Sequence, residues 1–352
     1  MPSGGKLSFG PMRIAIGILA HNEEHTIGPL VASLARQDLF ATPGHSVSVH
    51  IVPNGCRDAT TAAARKALEG LAAAFPCVRV AVHDVADPGK ANAWNLFVHD
   101  FSEPEADALL LLDADIEFGQ DACLRLVAEA LPNNPKAVVA VDTPVKDVQK
   151  KAVRSLRERV SVAASEVQLS GPPKLTGHLY CARAAALREI WMPPGLLVED
   201  GFLKAMLLTR GFSCLEQPDG IVRAEGASHF YQAEIRLSGW FRHERRILDG
   251  TAMNIILFAA LREQVAGGRP VGEWIRQQNA SDPAWVAKLV RERAPRGLPG
   301  GTEFLAAPLR QLRGLTPVRR IRAFPAAALR CALNLAVAIA ARNDLKTGRL
   351  RW

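Results

Sequence analysis

The sequence predicts an α/β fold: a mainly parallel sheet with helices on both faces, then a basic, mainly helical C-terminal extension. Three observations predict it. Residues 13–141 alternate short β-branched or apolar runs with helix-like stretches. Polar clusters fall at the ends of those runs, where parallel sheets bind their ligands. The charge also changes sign along the chain. Residues 1–229 hold 22 Lys/Arg against 26 Asp/Glu, a net −4, whereas residues 230–352 hold 21 against 9, a net +12. The expected domains are therefore 12–230 and 231–352.

Taken in order, Arg13–Ala20 reads as a strand ending at His21-Asn22-Glu23-Glu24. A helix follows from Thr26 to Arg36. Ser46–Val52 is a second strand, closed by Pro53-Asn54-Gly55, and Asp58-Ala59-Thr60 opens an Ala-rich helix reaching about Phe75. Val78–Val85 is a third strand, Asp87-Pro88-Gly89 a loop, and Lys90–Phe101 a helix. Ala108–Leu112 is a buried strand ending in Asp113-Ala114-Asp115, and Ala137–Val141 is another. Beyond Lys146 the pattern reads as mostly helical: Val148–Leu169, stopped by Gly171-Pro172-Pro173, then Gly201–Thr209, Trp240–Leu261 and Ala323–Ala341.

The hydrophobic and charged fractions, 48% and 22%, are those of an ordinary globular protein. Six scattered cysteines form no Cys-x-x-Cys pair, which fits a reducing compartment rather than a zinc site or disulfide framework. The apolar run Ile14–Ala20 is too short for a secretory signal, and no stretch of 18 apolar residues is free of polar interruption. The expected location is cytoplasmic, the alternative being a peripheral place at the inner face of the membrane. The basic C-terminal part should attract phosphates or anionic lipid. No helix-turn-helix, zinc or aromatic RNA motif accompanies it, so nucleic acid is not an expected partner.

Asp113-Ala114-Asp115 is the strongest chemical signal. Two carboxylates leaving a buried strand together suit Mn²⁺ or Mg²⁺ held against a diphosphate; the bland alternative is a strand-end turn. Lys90, after Gly89 and at a helix start, can meet a phosphate or stand as an exposed first-turn lysine. The pair Glu199-Asp200 offers a general base toward an acceptor hydroxyl, or a helix N-terminus favoured by its dipole. His229 is a metal ligand or a structural histidine. Arg242, Arg245 and Arg246 either clamp phosphate or line a solvated helix face.

These segments, in order, resemble glycosyltransferase family 2 over about residues 12–246: Ala20 to Glu24, Asn54-Gly55-Cys56-Arg57-Asp58-Ala59-Thr60, Gly89-Lys90-x-x-Ala93-x-Asn95, Asp113-Ala114-Asp115, Thr176-Gly177 to Arg183, and Glu199-Asp200. The resemblance implies a GT-A, Rossmann-like fold and inverting transfer from a nucleotide-sugar donor to a hydroxyl acceptor. It assigns Ala20, His21, Asn22, Glu23, Asn54 and Asp58 to the nucleoside and Lys90 to the donor's neighbourhood. Asp113 and Asp115 go to ribose, diphosphate and metal. Gly177, His178 and Arg183 go to the acceptor side, Asp200 to the base, and His229 to a further metal ligand. A UDP-sugar is the expected donor.

Three features depart from the family pattern. Pro53-Asn54 replaces a common Asp-Asp. Arg242-His243-Glu244-Arg245-Arg246 lacks the tryptophan of processive members, which favours a single transfer. The flanking membrane helices of the synthases are missing. Arg-x-x-Arg also occurs in ceramide-glucosyltransferase-like members, which leaves a lipid acceptor open. A nucleotidyltransferase is the nearest rival, but its Gly- and Arg-rich first loop has no counterpart here. A basic nucleic-acid-binding protein is the other alternative. For residues 304–352 the expectation is a membrane-surface helix, with Arg330 and Asn334 sharing a polar stripe; the alternative is a helix packed on the catalytic domain.

Overall fold

A computed structural model of the chain describes residues 11–150, 171–232, 237–294, 297–314 and 316–347. The expected helix Val148–Leu169 lies outside the described residues, apart from a short 3₁₀ turn at Asp147–Lys150. The chain divides into two compact units, Met1–Met192 with Leu203–Ala233 and Pro193–Phe202 with Glu234–Trp352. The second unit thus includes a short segment, 193–202, that lies well before the charge boundary near 230.

The first unit is built on one eight-stranded sheet. Its strands are β1 (Arg13–Ala20), β2 (Ser46–Pro53), β3 (Arg79–Val82), β4 (Ala108–Asp113), β5 (Glu117–Phe118), β6 (Val139–Lys146), β7 (Leu179–Arg183) and β8 (Ile221–Tyr231). They lie in the order β3-β2-β1-β4-β7-β6-β8-β5. The β3-β2, β2-β1, β1-β4 and β6-β8 pairs are parallel, and β7 runs antiparallel between β4 and β6. This mixed α/β sheet is of the Rossmann-like, GT-A type expected from the sequence.

Side chains alternate between the two faces of β1, and both faces are buried. Ile14, Ile16, Ile18 and Ala20 share one core with α1 (Ile27–Leu34), α2 (Thr60–Ala74) and α4 (Cys123–Asn133). The opposite face meets α3 (Lys90–Leu96) and the π turn Phe97–Phe101 that continues it. A Cβ on Gly17 would stand 2.6 Å from the Phe97 ring, so only glycine lets that turn close on the strand.

Two strands interrupt the region read as helical. Leu179-Tyr180-Cys181-Ala182-Arg183 is short and almost wholly buried, and such a run carries no period that separates strand from helix. In β8, Gly226 at φ 82° and a register shift against β6 break the alternation that would have revealed it. Helices α5 (Ala184–Arg188) and α6 (Glu199–Leu208) follow β7.

The second unit is helical, as expected. It contains α7 (Leu237–Ala266), α8 (Val271–Ser281), α9 (Trp285–Arg293), α10 (Gly301–Gln311) and α11 (Pro317–Thr347). Leu248 on α7 packs with Val337, Ala338 and Ala341 on α11, and Phe304 and Leu305 of α10 close the cluster. The expected polar stripe on α11 is corrected here. Asn334 is buried, and its side-chain amide donates to the Phe304 carbonyl at 3.0 Å. Arg330 lies over the Trp240 ring and 3.2 Å from Glu244.

Candidate active site

The site is built where β1, β2 and β4 end side by side. Their register sets Ala20 beside Pro53 and Leu19 beside Asp113, so the loops after all three strands leave the same edge. Asn54 knits them together. Its backbone amide and its side-chain amide both donate to the Ala20 carbonyl, at 2.9 and 2.8 Å, and its Oδ1 accepts from the Gly89 amide at 3.1 Å. The side chain is buried. Asn54 therefore shapes the loops from within; its side chain is not offered to a ligand.

His21 and Asn22 form the floor of the first loop. His21 Nδ1 lies 2.6 Å from the Asn54 carbonyl, which only accepts, so the ring proton resides on Nδ1. Nε2 then accepts from Asn22 Nδ2 at 2.9 Å, while Asn22 Oδ1 accepts from the Arg57 amide at 2.8 Å. Asn22 adopts φ 58°, a left-handed conformation that asparagine tolerates.

The first two loops clasp each other through carboxylates. Asp58 accepts from the Glu24 amide and from Thr60, and Glu24 accepts from the Ala59 amide. Desolvation opposes the Asp58 charge, but the hydrogen bonds from Thr60 and Glu24 outweigh it and hold this carboxyl below its ordinary range. Burial pushes the Glu23 carboxyl up; the Thr26 hydroxyl opposes that, and the neighbouring charges of Asp115 and Asp58 reinforce it. Glu23 thus feels the charges of Asp58 and Asp115, on the loops after β2 and β4.

Asp113 ends β4 and meets Lys90 from the start of α3, with Lys90 Nζ 2.7 Å from Asp113 Oδ1. The same ammonium lies 3.5 Å from the Gly177 carbonyl, and the Asp113 amide donates to the His178 carbonyl at 2.9 Å. Gly177 and His178 are therefore at the carboxyl edge of β4. Arg183 is not. Because β7 is antiparallel, Arg183 pairs with Ala108 at the far end of β4. There its guanidinium donates to the carbonyls of Ala137 and Leu131, capping the end of α4.

His229 is fully buried on β8, with Nδ1 2.7 Å from Asp142 Oδ2. A carboxylate acceptor fixes the proton on Nδ1 and leaves the Nε2 lone pair; that nitrogen is buried and has no hydrogen-bond partner. The His178 ring stands edge-on to it at 5.5 Å. Asp142 was not foreseen. Its signal is a single acid inside the otherwise apolar buried run Val139-Ala140-Val141-Asp142. Among the described residues no three His, Cys, Asp or Glu side chains converge on one point. Magnesium-type sites often use one or two carboxylates plus substrate phosphates, so this arrangement suits a cation that arrives with a diphosphate.

Glu199, Asp200 and the three arginines belong to the second unit. Asp200 lies in the first turn of α6, where its Oδ1 accepts from the Gly201 amide at 2.7 Å. The preceding segment is fixed to α7: Asn254 donates to the Val198 carbonyl at 3.0 Å, and a Cβ on Gly250 would stand 2.4 Å from Val198. Arg245 forms an ion pair with Asp344 of α11, so this arginine already has an anionic partner. Arg242 is exposed and Arg246 half-buried on α7.

Residues 15–190, half of the chain, match Glycosyl transferase family 2, and the protein belongs to that family. It is a glycosyltransferase. Similar solved structures include the mannosyltransferase PcManGT from Pyrobaculum calidifontis, in complex with GDP-Man and Mn²⁺, at 17% identity over 92% of this chain and 87% of that one, TM-score 0.48. A mycobacterial protein is 18% identical over 69% and 74% of the two chains, TM-score 0.48. Glucosyl-3-phosphoglycerate synthase from Mycobacterium tuberculosis, with Mg²⁺ and UDP, is 17% identical over 72% and 80%, TM-score 0.44. No curated protein matches the chain.

Proposed function

We propose that the protein transfers one sugar at a time from a nucleotide-sugar donor, a UDP-sugar in our reading, to an acceptor hydroxyl with inversion at the anomeric carbon. The observation that carries the reading is the Lys90–Asp113 pair beside the Glu23, Asp58 and Asp115 carboxylates, at the joined carboxyl ends of three parallel strands. In parallel sheets such an edge binds nucleotides. The Lys90 ammonium supplies positive charge for a diphosphate, and the loops after β1 and β2 hold the nucleoside.

The residues fit a divalent cation, Mn²⁺ or Mg²⁺. Asp115 would hold it, with the unpartnered Nε2 of His229 as a nitrogen ligand positioned by Asp142. When bound, such an ion neutralises charge on a leaving diphosphate. Asp200 is assigned the base on the family motif: its carboxylate takes the acceptor proton as the acceptor oxygen bonds to the anomeric carbon and the bond to the nucleoside diphosphate breaks.

A panel of sugar nucleotides, screened by thermal unfolding with and without Mn²⁺, tests this reading. A donor at a hundred times its dissociation constant stabilises the fold by about 2.7 kcal/mol. A panel in which no sugar nucleotide raises the melting temperature would remove the donor assignment.

A further inference from the structure

Helix α11 buries the polar Asn334 and Asp344 beside Val337, Ala338 and Ala341, and leaves several large apolar side chains exposed. Asn334 and Asp344 are buried against α10 and α7, held by the Phe304 carbonyl and by Arg245. Ile321, Phe324, Leu329, Leu335 and Ile339 are exposed by 74%, 54%, 63%, 51% and 63%. At 3.6 residues per turn, Ile321, Phe324, Leu335 and Ile339 fall within about 60° of one another around the axis, with Leu329 about 80° further round. A helix that merely closes a globular unit keeps its large apolar side chains on the buried face. Single exposed apolar residues are ordinary, but a row along one helix marks a surface that meets something.

Charge identifies what it meets. Residues 304–343 contain seven arginines and no acid. Arg310 and Arg313 are exposed just before α11, and Arg342 is exposed near its end. An apolar stripe bordered by arginines matches the interface of an anionic bilayer, where each basic residue strengthens binding by about fivefold. A second copy of the chain fits poorly, because a two-fold contact through this stripe would set one arginine-rich segment against another.

By length and composition α11 could also cross a membrane, since Ala323–Leu345 has a mean hydropathy of 1.7. Its inner face argues against crossing. Spanning would strip α11 from α7 and α10 and carry Asn334, Asp344 and Arg330 into hydrocarbon, away from their partners.

We propose that the outward face of α11 docks the protein on an anionic bilayer, with the helix lying in the plane of the headgroups. This inference is independent of the donor site. Flotation of the full chain with phosphatidylcholine vesicles, with and without about 30% phosphatidylglycerol, tests it at low salt, where surface charge is least screened. The expected result is binding at least about tenfold stronger to the anionic vesicles. Leu335→Glu with Ile339→Glu, both exposed positions, should lower that binding by about tenfold or more with an unchanged melting temperature. Arg310→Gln with Arg313→Gln should lower it by up to about 25-fold and leave the apolar stripe intact. The proposal is overturned by no binding to anionic vesicles, or by binding that neither pair of changes weakens. It is also overturned by resistance to an alkaline wash, which marks a spanning helix, or by a vesicle-free dimer that Leu335→Glu dissociates.

Discussion

The Lys90 ammonium lies 2.7 Å from an Asp113 carboxylate oxygen, linking the first residue of α3 to the last residue of β4. Both side chains are largely withdrawn from water, so the pair is screened less than a surface bridge. It holds the start of α3 against the end of β4 and leaves Asp115, the other acid of the motif, exposed to solvent.

Removing one partner should cost more than removing both. Lys90→Met takes the cation from beside Asp113, and Asp113→Asn takes the anion from beside Lys90; a double-mutant cycle should give a coupling of roughly 0.5–3 kcal/mol in unfolding free energy. Lys90→Met should also weaken diphosphate-containing ligands by about tenfold or more, read by calorimetry. Strict additivity of the two substitutions would mean that the pair does not interact in solution.

Asp142 should act through His229. Asp142→Asn still fills the space but can present an amide donor where a carboxylate acceptor fixed the ring proton. The expected effect is a 10- to 100-fold loss of Mn²⁺ affinity, measured in the presence of nucleoside diphosphate. His229→Gln should lose at least as much. Unaltered Mn²⁺ affinity in both variants would make the His229–Asp142 pair purely structural.

Asp200→Asn keeps size and shape while removing the proton acceptor. Turnover should fall by roughly 10²–10⁴ with donor affinity nearly unchanged. Nuclear magnetic resonance of the first-formed product should show the anomeric configuration inverted relative to the donor. Retention of configuration contradicts single displacement, and full turnover in the variant removes Asp200 from the role of base.

The second unit carries a proton-linked element. Burial, and then the charge of Asp344, push the Asp249 carboxyl up to about 7 from an ordinary value of 3.8, against the opposing Arg245 guanidinium. A folded-state value above the unfolded one stabilises at low pH. That contribution declines by about 1.4 kcal/mol per pH unit between the two values and is gone above the folded one. The stability advantage of Asp249→Asn over the wild type should therefore grow from about pH 4 and level off above about pH 7. Unfolding midpoints compared across that range check it; a difference independent of pH would show that Asp249 titrates normally.

Much of this was legible in the sequence, for physical reasons that also explain the failures. Strands β1, β2 and β4 stand out because burial on both faces makes them continuous apolar runs ending in polar loops. The order of Ala20-His21-Asn22-Glu23, Asp113-Ala114-Asp115 and Lys90 then carries the family. What the sequence does not show is direction. Gly177 and Arg183 are neighbours in sequence, yet an antiparallel strand carries them to opposite ends of β4. Asn54 looks like a loop residue open to ligand but turns inward to join Ala20 and Gly89. On α11 the period of 3.6 groups Arg330 with Asn334, but the period does not say which side faces in. The buried side takes Asn334, bonded to Phe304, and Asp344, paired with Arg245, together with Val337 and Ala341.

The proposed function rests on a donor site assembled with a divalent cation at Asp115. Titrating the sugar nucleotide that most stabilises the protein into wild type and Asp115→Asn, with Mn²⁺ and again with a chelator, tests it most directly. The expected result is saturable binding by the wild type with Mn²⁺, and at least about tenfold weaker binding after either the chelator or the substitution. Equal affinity in all of these titrations, with and without Mn²⁺ and with either residue at position 115, would contradict it.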